Sequence, residues 1–191
     1  MSLAQTEQQS FSYQDYINWP NEERWEIIYG EAFSMSPAPT PVHQEIVGQL
    51  FKKLSELSNK KCKILMAPVD VLLPRTDEKD EQINTIVQPD LLVVCDQNKI
   101  KEKNIKGAPD FIVEVLSPAT AKRDEGIKRD LYQASGVKEY WLVHPTDQTI
   151  NQYSLTDNIY HKPQVYGADD TIYSSCIPDM SLDLAEIFNR S

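Results

Sequence analysis

Apolar positions along the chain follow two spacings. From Val42 to Leu57 they fall at 42, 46, 47, 50, 51, 54 and 57, the three-to-four spacing of a helix with one buried face. Short, nearly continuous apolar runs then predict strands over 63–73, 87–95 and 110–116. Pro89 lies near the start of the second, where a missing N–H is tolerated. Polar stretches separate them: RTDEKDEQIN at 75–84 and a lysine-rich loop at 96–107. Ser117-Pro118 opens a second helix, with Ser at the N-cap and Pro in the first turn. This helix runs to about Ala134 and is closed by Gly136. EYWLVH at 139–144 is the next strand, and 149–155 returns beside it as a hairpin.

Ahead of the first long helix, 13–18 predicts a short helix. Residues 26–28 and 31–35 flank Tyr29-Gly30 as a small hairpin, and SPAPTP (36–41) reads as a linker. The tail IPDMSLDLAEIF predicts a strand or turn and a short helix. The order helix, three strands, helix, strand implies an α/β fold: a mixed sheet with αβββαβ core order, helices packed on it and additional C-terminal strands. The 191 residues suit one domain over 13–191 with its core at about 42–145, after a flexible 1–12.

Composition adds exclusions. No stretch reaches the roughly 20 apolar residues of a membrane span. The N-terminus lacks the basic start and apolar centre of a signal peptide. Cys62, Cys95 and Cys176 lie far apart without CxxC spacing, which predicts reduced, mostly buried thiols in a cytoplasmic protein. No GxSxG or Walker sequence occurs, and His144 and His161 lack partners at metal-ligand spacing. The net charge of −10 argues against a passive nucleic-acid coat. Between Lys99 and Arg129, however, eight basic residues face five acidic ones. That local excess fits either a solvated face or a phosphate-facing patch.

Three acids interrupt apolar runs: Asp70 in APVDVLL, Asp90 after Pro89, and Glu114 in PDFIVEVL. An unpaired carboxylate inside such a strand is costly. If 87–95 and 109–116 pair antiparallel with Cys95 opposite Pro109, Asp90 lies opposite Glu114, with Cβ atoms about 5 Å apart. If Leu73 lies opposite Val87, Asp70 joins the row beside Asp90. The row is either three acids on a solvated face or a Mg²⁺ or Mn²⁺ site, since hard cations prefer oxygen ligands.

APVDVLL (67–73), VQPDLLVV (87–94), PDFIVEVLSP (109–118), the Asp124, Lys128 and Tyr132 series and GVKEYWLVHP (136–145) together resemble the PD-(D/E)XK nuclease superfamily. Within it they look like the bacterial restriction-endonuclease family once catalogued as a domain of unknown function. The resemblance spans roughly 20–188 and implies a restriction-endonuclease-like fold, a Mg²⁺- or Mn²⁺-dependent endonuclease activity on DNA, and a homodimer. It implies Asp90 and Glu114 as catalytic metal ligands; with the Val115 backbone carbonyl they would hold one ion, and Asp70, if the assumed register places it there, a second ion or an ordered water. The family's lysine position holds Leu116. Lys128 is the candidate replacement, since Asp124, Lys128 and Tyr132 share one helix face. His43 and Glu45 open the first long helix, where Glu45 could hold a metal-bound water. Lys122, Arg123, Lys103 and Lys106 would guide the DNA backbone. The alternative is a catalytically inactive nuclease-like DNA- or protein-binding module, favoured by Leu116 and the negative charge, or a self-associating acidic accessory protein.

Overall fold

A computed structural model describes residues 10–20, 23–35, 38–57, 61–75 and 78–188. Most of the expected flexible segment 1–12 and the start of the 36–41 linker fall outside these residues. The first half of the chain contains α1 (Tyr13–Tyr16), β1 (Trp25–Ile28), β2 (Glu31–Ser34), α2 (Pro41–Leu57), β3 (Lys63–Met66), β4 (Val71–Leu72), β5 (Ile86–Val87) and β6 (Leu91–Val94). β7 (Ile105–Lys106) and β8 (Phe111–Val115) follow. Next come α3 (Ala121–Arg123), a π-helical turn (Asp124–Lys128) and α4 (Arg129–Ser135), run together as one helix. The remainder is β9 (Glu139–His144), β10 (Thr149–Thr156), β11 (Ile159–Tyr160), β12 (Gln164–Tyr166), β13 (Thr171–Tyr173), β14 (Ser181–Asp183) and α5 (Ala185–Phe188).

The larger sheet has the order β11-β10-β9-β8-β6-β3, with β12 also on β10. It is mixed: β3, β6 and β8 are mutually antiparallel, whereas β8 and β9 are parallel, joined by the α3–α4 crossover. Its faces alternate with residue number. Leu91, Val93, Phe111, Val113, Trp141 and Val143 pack with Ile46, Val47, Leu50 and Leu54 of α2 and with Ile187 and Phe188 of α5. Leu92, Val94, Ile112, Tyr140 and Leu142 pack with Leu131 and Tyr132 of α4. Strands covered on both faces read as unbroken apolar runs, which is why 110–116 is so uniform.

The smaller sheet, β2-β1-β5-β4-β7, begins with the expected hairpin. Tyr29 (φ 52°) and Gly30 (φ 85°) both take the left-handed conformation of its two-residue turn. Gly136 (φ 84°) likewise ends α4, as its position predicts.

Two of the expected strands are broken. The run 63–73 divides into β3 and β4, and 87–95 divides into β5 and β6. Each break contains a proline, Pro68 or Pro89, which cannot donate to a ladder. At both points the chain leaves one sheet for the other. The expected register of β6 and β8 holds: Leu91 pairs with Val113, Leu92 with Ile112 and Val93 with Phe111, so Asp90 faces Glu114. The β4–β5 register is shifted by two, with Val71 opposite Val87, which sets Asp70 against Gln88 instead of Asp90. Within the expected lysine-rich loop, β7 pairs parallel with β4.

The expectation of reduced thiols fails for two cysteines. Cys62 and Cys95 are joined by a disulfide. Lys63 pairs with Val94, so their outer neighbours meet across the strands, a proximity that sequence spacing does not show. Cys176 is the free thiol, and burial pushes its pKa up.

Glu139, at the start of β9, is fully buried. Its Oε1 accepts from Trp141 Nε1 and Gln152 Nε2, both at 2.6 Å. Its Oε2 accepts from Ser174 Oγ at 2.6 Å, Ser175 N at 2.8 Å, Ser175 Oγ at 3.0 Å and Cys176 N at 3.0 Å. These bonds dock the 174–176 segment against the sheet. Among the described residues, no helix is long and apolar enough to cross a membrane.

Candidate active site

Glu114 is buried, 4 % exposed, on the sheet face beneath α3 and α4. The positive partner that its position requires is Lys128. The Lys128 Nζ donates to Glu114 Oε1 at 2.8 Å and lies 2.8 Å from Glu26 Oε1 and 3.7 Å from Asp124 Oδ1. The Tyr132 hydroxyl also donates to Glu114 Oε1, at 2.8 Å. Asp124 and Lys128 bound the π-helical turn, a feature that re-aims side chains and recurs at functional sites. The Tyr140 hydroxyl donates to the Asp124 carbonyl at 3.1 Å and fixes the start of that turn to β9.

Asp90 stands across from Glu114 at the break between sheets. Its backbone N–H lies 3.4 Å from Glu114 Oε2, and its Oδ2 accepts from Val115 N at 2.9 Å. His43 Nε2, from the first turn of α2, is 3.0 Å from the same Oδ2. Both contacts fall on one oxygen, so Oδ1 enters none of the described hydrogen bonds, and the side chain is 21 % exposed.

The electrostatics follow from burial. Desolvation pushes Glu114 up to about 8 against the pull of Lys128, and the Asp124, Asp90 and Glu26 charges add to the rise. Asp124 is raised for the same first reason. Burial alone would lower Lys128, but the Glu114, Glu26 and Asp124 carboxylates outweigh it and hold the ammonium well above the usual lysine range. Burial and the Glu114 charge keep Tyr132 protonated. Burial would lower His43, but the Asp90 carboxylate and the Val115 carbonyl raise it.

Three acids, Glu26, Glu114 and Asp124, thus crowd around Lys128, and Arg123 reaches Glu26. Among the described residues, the buried side-chain atoms without a hydrogen-bond partner are Glu26 Oε2, His43 Nδ1, Arg123 Nε and Asp124 Oδ1, all in this cluster. Excess carboxylate of this kind is neutralised by protons or by a cation. Asp90 Oδ1, Glu114 Oε2 and the Val115 carbonyl are oxygen donors of the type a hard divalent ion takes, so the chemistry of the set fits. The set is small: no group of three or more His, Cys, Asp or Glu among the described residues is placed to hold a metal.

The raised Glu114 pKa has a measurable consequence. A group at about 8 when folded and about 4.5 when unfolded stabilises the fold fully below the lower value, and that contribution is lost as pH rises through the upper one. With chelator present, unfolding free energy should fall between about pH 5 and 8, with a slope of up to about 1.4 kcal/mol per pH unit. Glu114→Gln should flatten this slope in urea titrations. A wild-type profile that is already flat means that Glu114 is ionised throughout.

The other expected residues lie elsewhere. Asp70 accepts from the Tyr16 hydroxyl at 2.9 Å and Gln88 Nε2 at 2.8 Å and has no described contact with Asp90 or Glu114. Glu45 is exposed on α2. Arg123 turns inward, 3.6 Å from Glu26 Oε2 and 5.5 Å over the Phe33 ring. Lys106 pairs with Asp80. Lys103 and Lys122 are exposed. The sequence reasoning missed Glu26 and gave His43 no role. The signal for Glu26 was present, because WEII sets an acid inside an apolar strand just as FIVEV does.

A mixed sheet in this order, with an Asp–Glu pair across neighbouring strands and a helix lysine beside the glutamate, defines a restriction-endonuclease-like protein. The chain belongs to the Uma2 family, described as "Putative restriction endonuclease", whose model matches residues 13–185. It is 28 % identical over 153 residues to "Uncharacterized protein slr1290" of Synechocystis sp., covering 77 % of this chain and 75 % of that one. A crystal structure from Anabaena variabilis, titled as a "putative nuclease belonging to DUF820", superposes with a TM-score of 0.73 at 18 % identity. That match covers 92 % of this chain and 97 % of the other and speaks for the fold.

Proposed function

We propose that the protein is a divalent-metal-dependent endonuclease that hydrolyses phosphodiester bonds of DNA. The carrying observation is the apposition of Asp90 and Glu114 across β6 and β8, with Lys128 Nζ 2.8 Å from Glu114. Asp90, Glu114 and the Val115 carbonyl would hold Mg²⁺ or Mn²⁺. When bound, the ion supplies a water of lowered pKa and neutralises charge at the phosphorus.

The chain's own residues prepare that chemistry. His43 and the Val115 N–H fix Asp90 through Oδ2 and leave Oδ1 outside the described hydrogen bonds. Lys128 stays protonated, so it takes no proton from water. It acts as a fixed cation behind Glu114 and stabilises negative charge that develops there. Its side chain is 3 % exposed, so it does not steer the DNA backbone. The exposed Lys103 and Lys122 suit that task. A homodimer completes the proposal; pairing two such centres suits cutting of both strands.

Purified protein with Mg²⁺ or Mn²⁺ should nick plasmid DNA. Asp90→Asn should slow cleavage by roughly 100-fold or more while leaving the melting temperature nearly unchanged. Equal cleavage by both proteins would trace the activity to a contaminant. A second reading, an inactive DNA- or protein-binding module, draws on Leu116 at the family's lysine position and on the engagement of Glu114 Oε1 by Lys128 and Tyr132. Calorimetric titration with Mn²⁺ separates the two, since the enzyme must show a heat of metal binding that Glu114→Gln removes.

A further inference from the structure

We propose that Glu26 is a positioning residue of this centre: it holds the Lys128 ammonium at a fixed point between two acids, so that Lys128 does not close on Glu114 as an exclusive ion pair. The inference rests on the nuclease reading above, in which Glu114 and Lys128 serve the chemistry.

Glu26 belongs to β1 of the smaller sheet, remote in sequence from every motif of the site. It is fully buried. Its Oε1 lies 2.8 Å from Lys128 Nζ, the same distance as Glu114 Oε1, so the ammonium is shared evenly. Oε1 also accepts from the Gln88 backbone N at 2.9 Å, two residues before Asp90. One carboxylate oxygen therefore fixes both the catalytic-site cation and the chain segment that delivers the aspartate.

Glu139 supplies the internal contrast. It is the protein's purely structural buried acid: both oxygens are saturated by hydrogen-bond donors and no cation is involved. Glu26 is arranged differently. Its Oε2 has no hydrogen-bond partner and only the Arg123 guanidinium at 3.6 Å. An acid buried for scaffolding would not leave one oxygen idle, because an unsatisfied buried acceptor is costly. The placement of Glu26 answers to Lys128. Its partners come from two separate elements: Gln88 from the β5–β6 break and Lys128 from the π-helical turn.

The test is Glu26→Gln in the full chain. The amide oxygen can still accept from Gln88 N, whereas the negative charge that Glu26 sets against the Lys128 ammonium is gone. Two readouts apply. The first is the ¹H–¹⁵N correlation of the buried Lys128 ammonium, identified by its disappearance in Lys128→Met. It should be sharp in the wild type and broadened or lost in Glu26→Gln. The second is steady-state cleavage of plasmid DNA with Mg²⁺ or Mn²⁺, in which kcat should fall roughly 100-fold with KM unchanged. A merely structural glutamate would lower the melting temperature and leave both readouts of the folded protein intact, and that result overturns the proposal. If Glu26→Gln does not fold, Glu26→Asp keeps the charge but withdraws it by one methylene, and the same two readouts decide. A wild-type chain that cleaves no DNA defeats the nuclease reading alone; the ammonium signal then decides whether Glu26 holds Lys128.

Discussion

Replacing Lys128 with Met should cost about 3–5 kcal/mol of folding stability near neutral pH, the usual consequence of removing one partner from a buried ion cluster. Methionine fills similar space, so packing is largely kept and the loss reports charge. Glu26, Glu114 and Asp124 would be left with Arg123 as the nearest cation, and its guanidinium is 3.6 Å from only one of them. Protons are the remaining remedy. The variant should therefore regain stability relative to wild type as pH falls toward the ordinary carboxylate range. Urea denaturation at about pH 5 and about pH 8 measures both values. A loss below about 1 kcal/mol at the higher pH means that the acids already carry protons and that Lys128 is not their counter-ion.

The second large effect is expected at Glu139. Glu139→Ala strips the acceptor from two side chains on β9 and β10 and from Ser174, Ser175 and Cys176. Buried donors without a partner cost about 1–3 kcal/mol each, with partial relief as the segment relaxes. A net loss of at least about 3 kcal/mol is expected. The damage should be local at first. Amide exchange at Ser175, Cys176 and Ile177 should accelerate before that of β8 and β9, because the 174–176 segment is moored to the sheet through this carboxylate. Unchanged protection at those three amides would show that the packing of Ile172, Ile177 and Met180 holds the segment without it.

Much of the architecture was legible in the sequence because few arrangements satisfy it. Three strands buried on both faces need helices on each side, and the periodic pattern of α2 and the expected crossover helix supplied them, although that helix starts at Ala121, after Thr120, and not at Ser117-Pro118. The Asp90–Glu114 apposition followed from an assumed pairing, Cys95 opposite Pro109, which the β6–β8 register matches; apolar patterning on a strand covered on both faces does not itself select that register. Asp70 was misplaced for an instructive reason. A shift of two residues keeps a side chain on its face but changes its cross-strand partner, so apolar patterning alone could not distinguish Asp90 from Gln88. The sheet break was signalled by Pro68 and Pro89, but proline near a strand end reads equally well as an ordinary start. Glu26, His43 and the Cys62–Cys95 bond depend on which distant segments become neighbours. That is set by the tertiary fold, and no local spacing encodes it. Arg123 illustrates the converse: a basic residue at a helix start looks solvated until an aromatic ring and a buried acid are found beside it.

Among the described residues, β3 ends the larger sheet on one side and pairs with β6 alone. An open border of this kind invites fraying and association with stray chains. The Cys62–Cys95 bond clamps that border at its start, and Lys63 sets a charge next to it. A covalent rivet at the rim ties the last strand to its one described neighbour, so the border cannot peel away from that end.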